Sequence, residues 1–240
     1  MKAGLLAQMH SRYRLAVLAF GPFLQPGSRV MRDEIVAFKR ERILREAVSL
    51  FYKRGFTGTT LDEIAHELGV TKPFIYTHFK SKTDLLAEVC LPMIKLAVEK
   101  AEVAAGGEGT ATERLRHLIA EFTCAVLENQ ERIAVYFRDA MSLPAEIRAQ
   151  IDALRKKFDR ILSALLLEGV NAGEFEICDV ALAALAMGGM MSWAYTWHRP
   201  DGRLSIEQLS SEMAELALKM AGARTGATSS GTTELSDATA

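Results

Sequence analysis

Beyond Met31, apolar residues recur at intervals of three and four along nearly the whole chain, and no stretch alternates in the manner of a half-buried strand. That period predicts an all-α protein. Arg40 to Tyr52 places Ile43, Ala47, Leu50 and Phe51 on one stripe with charges opposite, and Gly55 ends the helix. Thr60 is positioned as an N-cap with Glu63 three residues on, as a capping box requires, and Leu61, Ile64, Ala65 and Leu68 form the stripe of a short helix stopped by Gly69. A third short helix is predicted from about Lys72 to His78. Ser81 caps the next, which runs to about Val103 with Pro92 as a bend.

AAGGEGT (104–110) is the clearest internal linker, and helices are predicted over 111–128, 130–141 and 144–170. Val180 to His198 is apolar almost all round, which predicts burial on most sides, with Ala183, Ala184, Ala186, Gly188 and Gly189 as a small-residue face. Pro200–Asp201–Gly202 is a turn signal, and Ser205 caps a last helix with Ile206, Leu209, Met213, Leu216 and Met220 on one stripe. The tail from Ala223 is small, polar and low in complexity, the composition of a disordered segment. At the other end, Leu15 to Leu24 is an apolar run behind Arg12 and Arg14. It reads as a signal-peptide-like core or as sequence ahead of a start at Met31; the body of the chain favours the second. It is too short to span a bilayer, and no other run approaches that length.

Charge changes the picture only through its distribution. The chain carries a net −1, but residues 31–84 hold ten basic against eight acidic side chains, while 85–240 hold fifteen against twenty-two. Within the cationic part, VTKPFIYTHFKSK (70–82) combines Phe74, Tyr76 and Phe79 with Lys72, Lys80, Lys82 and His78, and no acid. Two short helices joined through Leu68–Gly69–Val70 form a helix-turn-helix, whose second helix enters the major groove of DNA. Val70, Ile75 and Phe79 are spaced to pack inward. Lys72, Pro73 and Phe74 stand at the reading end, where lysine can donate to guanine and the apolar pair can meet thymine methyls. Tyr76 and His78 suit phosphate oxygens, and Lys82 can add a further phosphate contact.

The other chemistry-bearing residues are less specific. Cys90, Cys124 and Cys178 are an odd number without CxxC spacing, which argues against disulfides and zinc and predicts small buried residues in a reducing cytosol. His66 and His117 lack partners at metal-ligand spacing, so no metal or other cofactor is expected. No nucleophile–base set and no Gly-rich phosphate loop points to an enzyme. Candidate ligand contacts in the second half are Phe122, Tyr136, Phe137, Met190, Met191, Trp193 and Trp197, each equally a residue type of packed cores. Arg138 is placed to meet an anionic head group or to pair with Asp139. Arg155, Lys156 and Lys157 read as a solvated face, though one that a coenzyme phosphate would favour.

Residues 38–89 resemble the DNA-binding domain of TetR-family transcriptional regulators. The shared pattern comprises the helix ending at Gly55–Phe56, Thr59–Thr60, Leu61-x-x-Ile64–Ala65, Gly69–Val70, and Ile75–Tyr76-x-x-Phe79–Lys80–Ser81–Lys82. The resemblance implies a three-helix helix-turn-helix domain over 31–80, joined to a ligand-binding and dimerisation domain of about six helices over 81–222. It further implies a homodimer, a palindromic double-stranded operator and release on small-molecule binding, in the cytoplasm. It assigns the DNA surface to Thr60, Thr71, Lys72, Pro73, Phe74, Tyr76, His78 and Lys82. Pro73 and Phe74 stand where many members carry glycine and a small hydroxyl residue, and Thr77 replaces a larger one. Residues 187–222, with Trp197-x-x-Pro200–Asp201–Gly202-x-Leu204, resemble the branch regulating fatty-acid, steroid and aromatic catabolism, several of whose members respond to acyl-CoA thioesters. A DNA-binding protein without effector and a multidrug-type sensor are the alternatives.

Overall fold

The computed structural model describes residues 29–223; the readings made for the N-terminal extension and for the tail beyond Ala223 lie outside the described residues. Met1–Ile43 and Leu44–Ala240 form separate compact units. All regular structure among the described residues is helical, without strands. Helix α1 (Arg29–Arg54) begins well before the predicted Arg40. In its first unit, residues 31–39 are exposed throughout, and no inward-facing stripe in the sequence marked them. Its second unit buries Leu44, Ala47, Val48, Leu50 and Phe51.

The helix-turn-helix follows the predicted caps closely. Helix α2 (Leu61–Leu68) starts at Thr60, whose hydroxyl accepts from the Glu63 amide at 3.2 Å while Glu63 accepts from the Thr60 amide at 2.7 Å. It ends at Gly69, in the left-handed conformation at φ 67°, with the Val70 amide closing back to the Ala65 carbonyl at 2.9 Å. Helix α3 (Lys72–Tyr76) has proline in its first turn and is shorter than the predicted span, because Thr77 and His78 already form a turn. Five residues cannot hold a helix alone. Ile75 and Phe79, both fully buried, anchor it, each such side chain contributing about 1.5–3 kcal/mol.

Ser81 caps helix α4 (Lys82–Ala105), which carries Pro92 inside it. Then come α5 (Ala111–Glu128), α6 (Gln130–Asp139), a 3-10 turn at Ala140–Ser142, α7 (Ala145–Asn171), α8 (Val180–Trp193), a second 3-10 turn at Ala194–Thr196, and α9 (Ile206–Met220). The core of this part joins Leu115, Leu118 and Ile119 of α5 to Leu162, Leu165 and Leu166 of α7, Met187 and Met191 of α8, and Met213 and Ala217 of α9. At Gly169 the ring of Phe175 lies against bare backbone, where a Cβ would stand 2.2 Å from a ring carbon.

Three expectations need correction. Helix α8 buries only Ala184, Met187 and Met191, while Leu182 and Leu185 are 63% and 62% exposed. A helix packed within one chain covers a single stripe, so apolar residues all round leave an open face. The α9 stripe is likewise divided: Leu209 and Met213 are buried against the chain's own core, whereas Leu216 and Met220 face outward. Of the cysteines, Cys90 is buried as expected but Cys178 is exposed. No helix among the described residues is long and apolar enough to cross a membrane.

Candidate functional site

The outer face of α2–α3 brings the expected DNA residues together with different degrees of freedom. Thr71, Pro73 and Tyr76 are exposed, and the Thr71 hydroxyl makes no capping bond. Lys72 is held by Asp62, Nζ to Oδ2 at 2.6 Å, a hydrogen bond and charge that raise the lysine pKa above its usual value. Phe74 is half-buried and meets the His78 ring edge-on at 5.2 Å, so the two share one patch. The Thr60 hydroxyl is committed to Glu63.

Lys82 differs from its expectation. Its ammonium donates to the carbonyls of Phe56 at 2.8 Å and Thr59 at 2.7 Å, and it lies 4.3 Å from the Phe56 ring centroid. The charge is turned into the loop ahead of α2, where two backbone carbonyls and an aromatic face hold it.

A cavity of about 340 Å³ lies among α4, α5, α6, α7 and α8, toward the lower end of the range for small-molecule sites. Of the candidate ligand contacts, Phe122, Tyr136, Phe137 and Trp193 line it. Met191 does not, since it is fully buried in the core, and Met190 packs against that core instead. Trp197 is half-exposed and outside the lining. Because α8 is apolar on every side, its composition could not say which residues face inward.

Arg138 is also absent from the cavity. Its guanidinium donates to the carbonyls of Phe51 and, at 3.0 Å, Tyr52, and pairs with Asp139 at 2.9 Å. Those carbonyls belong to the last turn of α1, whose negative helix end favours a cation. The sequence reading missed Met93, Ile94, Phe158 and Asp159 as lining residues. Arg155, read as part of a solvated face, also borders the cavity; Asp159 one turn on could have marked that inward edge. Apart from Arg155, Asp159, Ser192 and the Tyr136 hydroxyl, the lining is apolar. Phe137 and Tyr195 stack at 5.4 Å, and Trp193 meets both edge-on.

Two family descriptions match the chain: "Bacterial regulatory proteins, tetR family" over residues 43–89, and "Tetracyclin repressor-like, C-terminal domain" over 108–221. The crystal structure of the TetR family transcriptional regulator PfmR from Thermus thermophilus is 34% identical, covering 74% of this chain and 97% of that one, with a TM-score of 0.69. The chain belongs to the TetR family.

It is therefore a transcriptional regulator and not an enzyme, as are its TetR relatives. The fatty acid metabolism regulator protein of Bacillus subtilis strain 168 is 27% identical over 180 residues, 74% of this chain and 93% of its own. AibR, solved in complex with isovaleryl coenzyme A and operator DNA, is 28% identical, with 74% and 96% coverage and a TM-score of 0.64. TetR regulators bind operator DNA and dimerise.

Proposed function

We propose that the protein is a homodimeric repressor that holds a palindromic operator and releases it when a small apolar ligand, an acyl thioester, enters the cavity. The observation that carries this reading is the cavity itself: an apolar chamber bordered by one cation, Arg155, in a chain that also carries a helix-turn-helix. Its size suits an acyl group inside and a bulkier nucleotide beyond the opening. Arg155 would meet anionic oxygens there. The isovaleryl coenzyme A in AibR and the fatty-acid role named for the Bacillus protein support this choice of class.

In this reading residues 31–80 bind DNA and 81–222 sense ligand and dimerise. Lys72, Pro73 and Phe74 read bases, with Thr60, Thr71, Tyr76 and His78 along the backbone. Lys82 supports that surface by holding the α1–α2 loop. The open α8 face, with Leu182 and Ala186 outside the cavity lining, joins Leu216 and Met220 of α9 as the dimer contact. The setting is the cytoplasm, where operator and thioester are both present.

The test is a thermal-shift and calorimetric series with thioesters of increasing chain length, beside the free acids and coenzyme A alone. Tm is expected to rise with thioesters more than with acids, and Arg155→Ala to remove that preference while acid binding persists. Binding of multidrug cations with no response to any thioester would contradict the effector class.

A further inference from the structure

Helix α6 connects the cavity to the DNA-binding part within four residues. Tyr136 and Phe137 stand in the cavity wall. The next residue, Arg138, holds the Phe51 and Tyr52 carbonyls at the end of α1, and Asp139 accepts from the Phe56 amide at 3.3 Å. Asp139 also binds the guanidinium through both Nε at 3.1 Å and Nη2 at 2.9 Å, which fixes the plane of the Arg138 fork. The loop that α6 grips is the one Lys82 grips from the start of α4, through Phe56 and Thr59. That loop ends at Thr60, the cap of α2, against which α3 packs.

We infer that Arg138 and Asp139 are the positioning residues through which cavity occupancy sets the pose of the recognition helix. The inference rests on the operator-binding reading above. The loop from Gly55 to Thr60 has two anchors on two different helices. A ligand that pushes Tyr136 and Phe137 displaces α6 against α4, and the anchors can no longer both be satisfied. Hydrogen bonds of 3.0–3.3 Å fail once lengthened by well under an ångström, so the clasp is closed or open, with little between. Opening frees the end of α1 and the loop at Phe56 that leads to α2, and the two recognition helices of a dimer lose their fixed separation. Local structure within each helix-turn-helix is untouched, since the Thr60–Glu63 box and the burial of Ile75 and Phe79 do not involve α6.

This role differs from simple support in what it moves. A palindrome selected from random DNA, its isolated half-site, and versions with one base pair added to or removed from the spacer are titrated against wild type, Arg138→Ala, Arg138→Lys and Asp139→Asn. Half-site affinity is expected to be unchanged. Palindrome affinity falls about ten-fold, a typical coupling between linked sites, and discrimination against wrong spacing narrows. Arg138→Lys keeps the charge but loses the planar fork aligned on the Phe51 and Tyr52 carbonyls and Asp139, and is expected to recover palindrome affinity only in part. In a Trp197→Phe background, Trp193, which meets Phe137 edge-on at 6.1 Å, is expected to change emission on operator binding, and Arg138→Ala to abolish the change.

Equal losses on half-site and palindrome, retained spacing discrimination, or a Trp193 signal indifferent to operator would each overturn the inference. Failure to select any palindrome would instead refute the operator reading on which it rests.

Discussion

Cys90 and Cys178 sit at opposite ends of the range of thiol environments. Cys90 is fully buried on α4; burial first, and the charge of Asp139 second, push its pKa up to about 12. Almost no thiolate exists there at about pH 8. Iodoacetamide at that pH is expected to modify Cys178 in the native protein and Cys90 only on unfolding, as peptide mapping would read; comparable native rates would contradict the packing around α4. Glu63 and Glu113 answer to pH for a different reason. Backbone and hydroxyl bonds from Thr60 and Thr110 hold both carboxyls below the usual 4.5. A depressed folded pKa stabilises above the unfolded value and is lost as pH falls through the folded one. Stability should therefore decline as acid carries the protein below pH 4.5, and Glu63→Gln should make that decline shallower. At Gly169 the issue is space. An alanine Cβ would overlap the Phe175 ring, so Gly169→Ala is expected to cost about 1–3 kcal/mol by chemical denaturation; a neutral result would mean that the ring turns aside freely.

On the proposed reading, helix α3 is the element on which DNA reading depends, and its shortness makes it a passenger of what it packs on. Lys72→Ala is expected to weaken specific binding by ~1–3 kcal/mol and relax preference at one base position, whereas equal loss on all sequences would make it a phosphate contact. Lys82→Ala should lower Tm and weaken the operator complex while keeping its salt dependence, because the ammonium is already bound to Phe56 and Thr59. A salt slope reduced by about one would instead place that charge on a phosphate. The element ends were legible because caps are local: Thr60 with Glu63, Gly69, Ser81 and Ser205 decide their helices within four residues. Arg138 was legible only in its pairing with Asp139; its carbonyl partners lie more than eighty residues earlier, and YFRDA carries no mark of them. Nor could α8 reveal that Met191 faces the core and Trp193 the cavity, since an all-apolar helix has no inward side until its neighbours are placed.

For the whole molecule, the proposed function requires two copies in register. The half-sites of a helix-turn-helix dimer lie about 34 Å apart, so a small change of pose in each protomer is enough to lose one of them. The apolar face left open on α8, with Leu182 and Leu185, has the character of a surface completed by a second chain. Leu182→Glu, outside the cavity lining, is expected to give a monomer in sedimentation velocity with helical content intact and palindrome binding lost; a dimer that persists would move the interface elsewhere. The family pattern in residues 38–89 made the DNA-binding half readable in advance, because its glycines, caps and aromatics are fixed by local geometry. The cavity emerges only when five helices meet, and of the candidate residues only Phe122, Tyr136, Phe137 and Trp193 line it.

The most direct measurement is fluorescence anisotropy of a labelled palindrome, selected from random DNA by this protein, titrated with and without a medium-chain acyl-CoA. Tight binding to one palindrome is expected, and at least an approximately ten-fold weaker complex when the thioester is present. An operator complex whose affinity is the same with every thioester in the series would contradict ligand-controlled release.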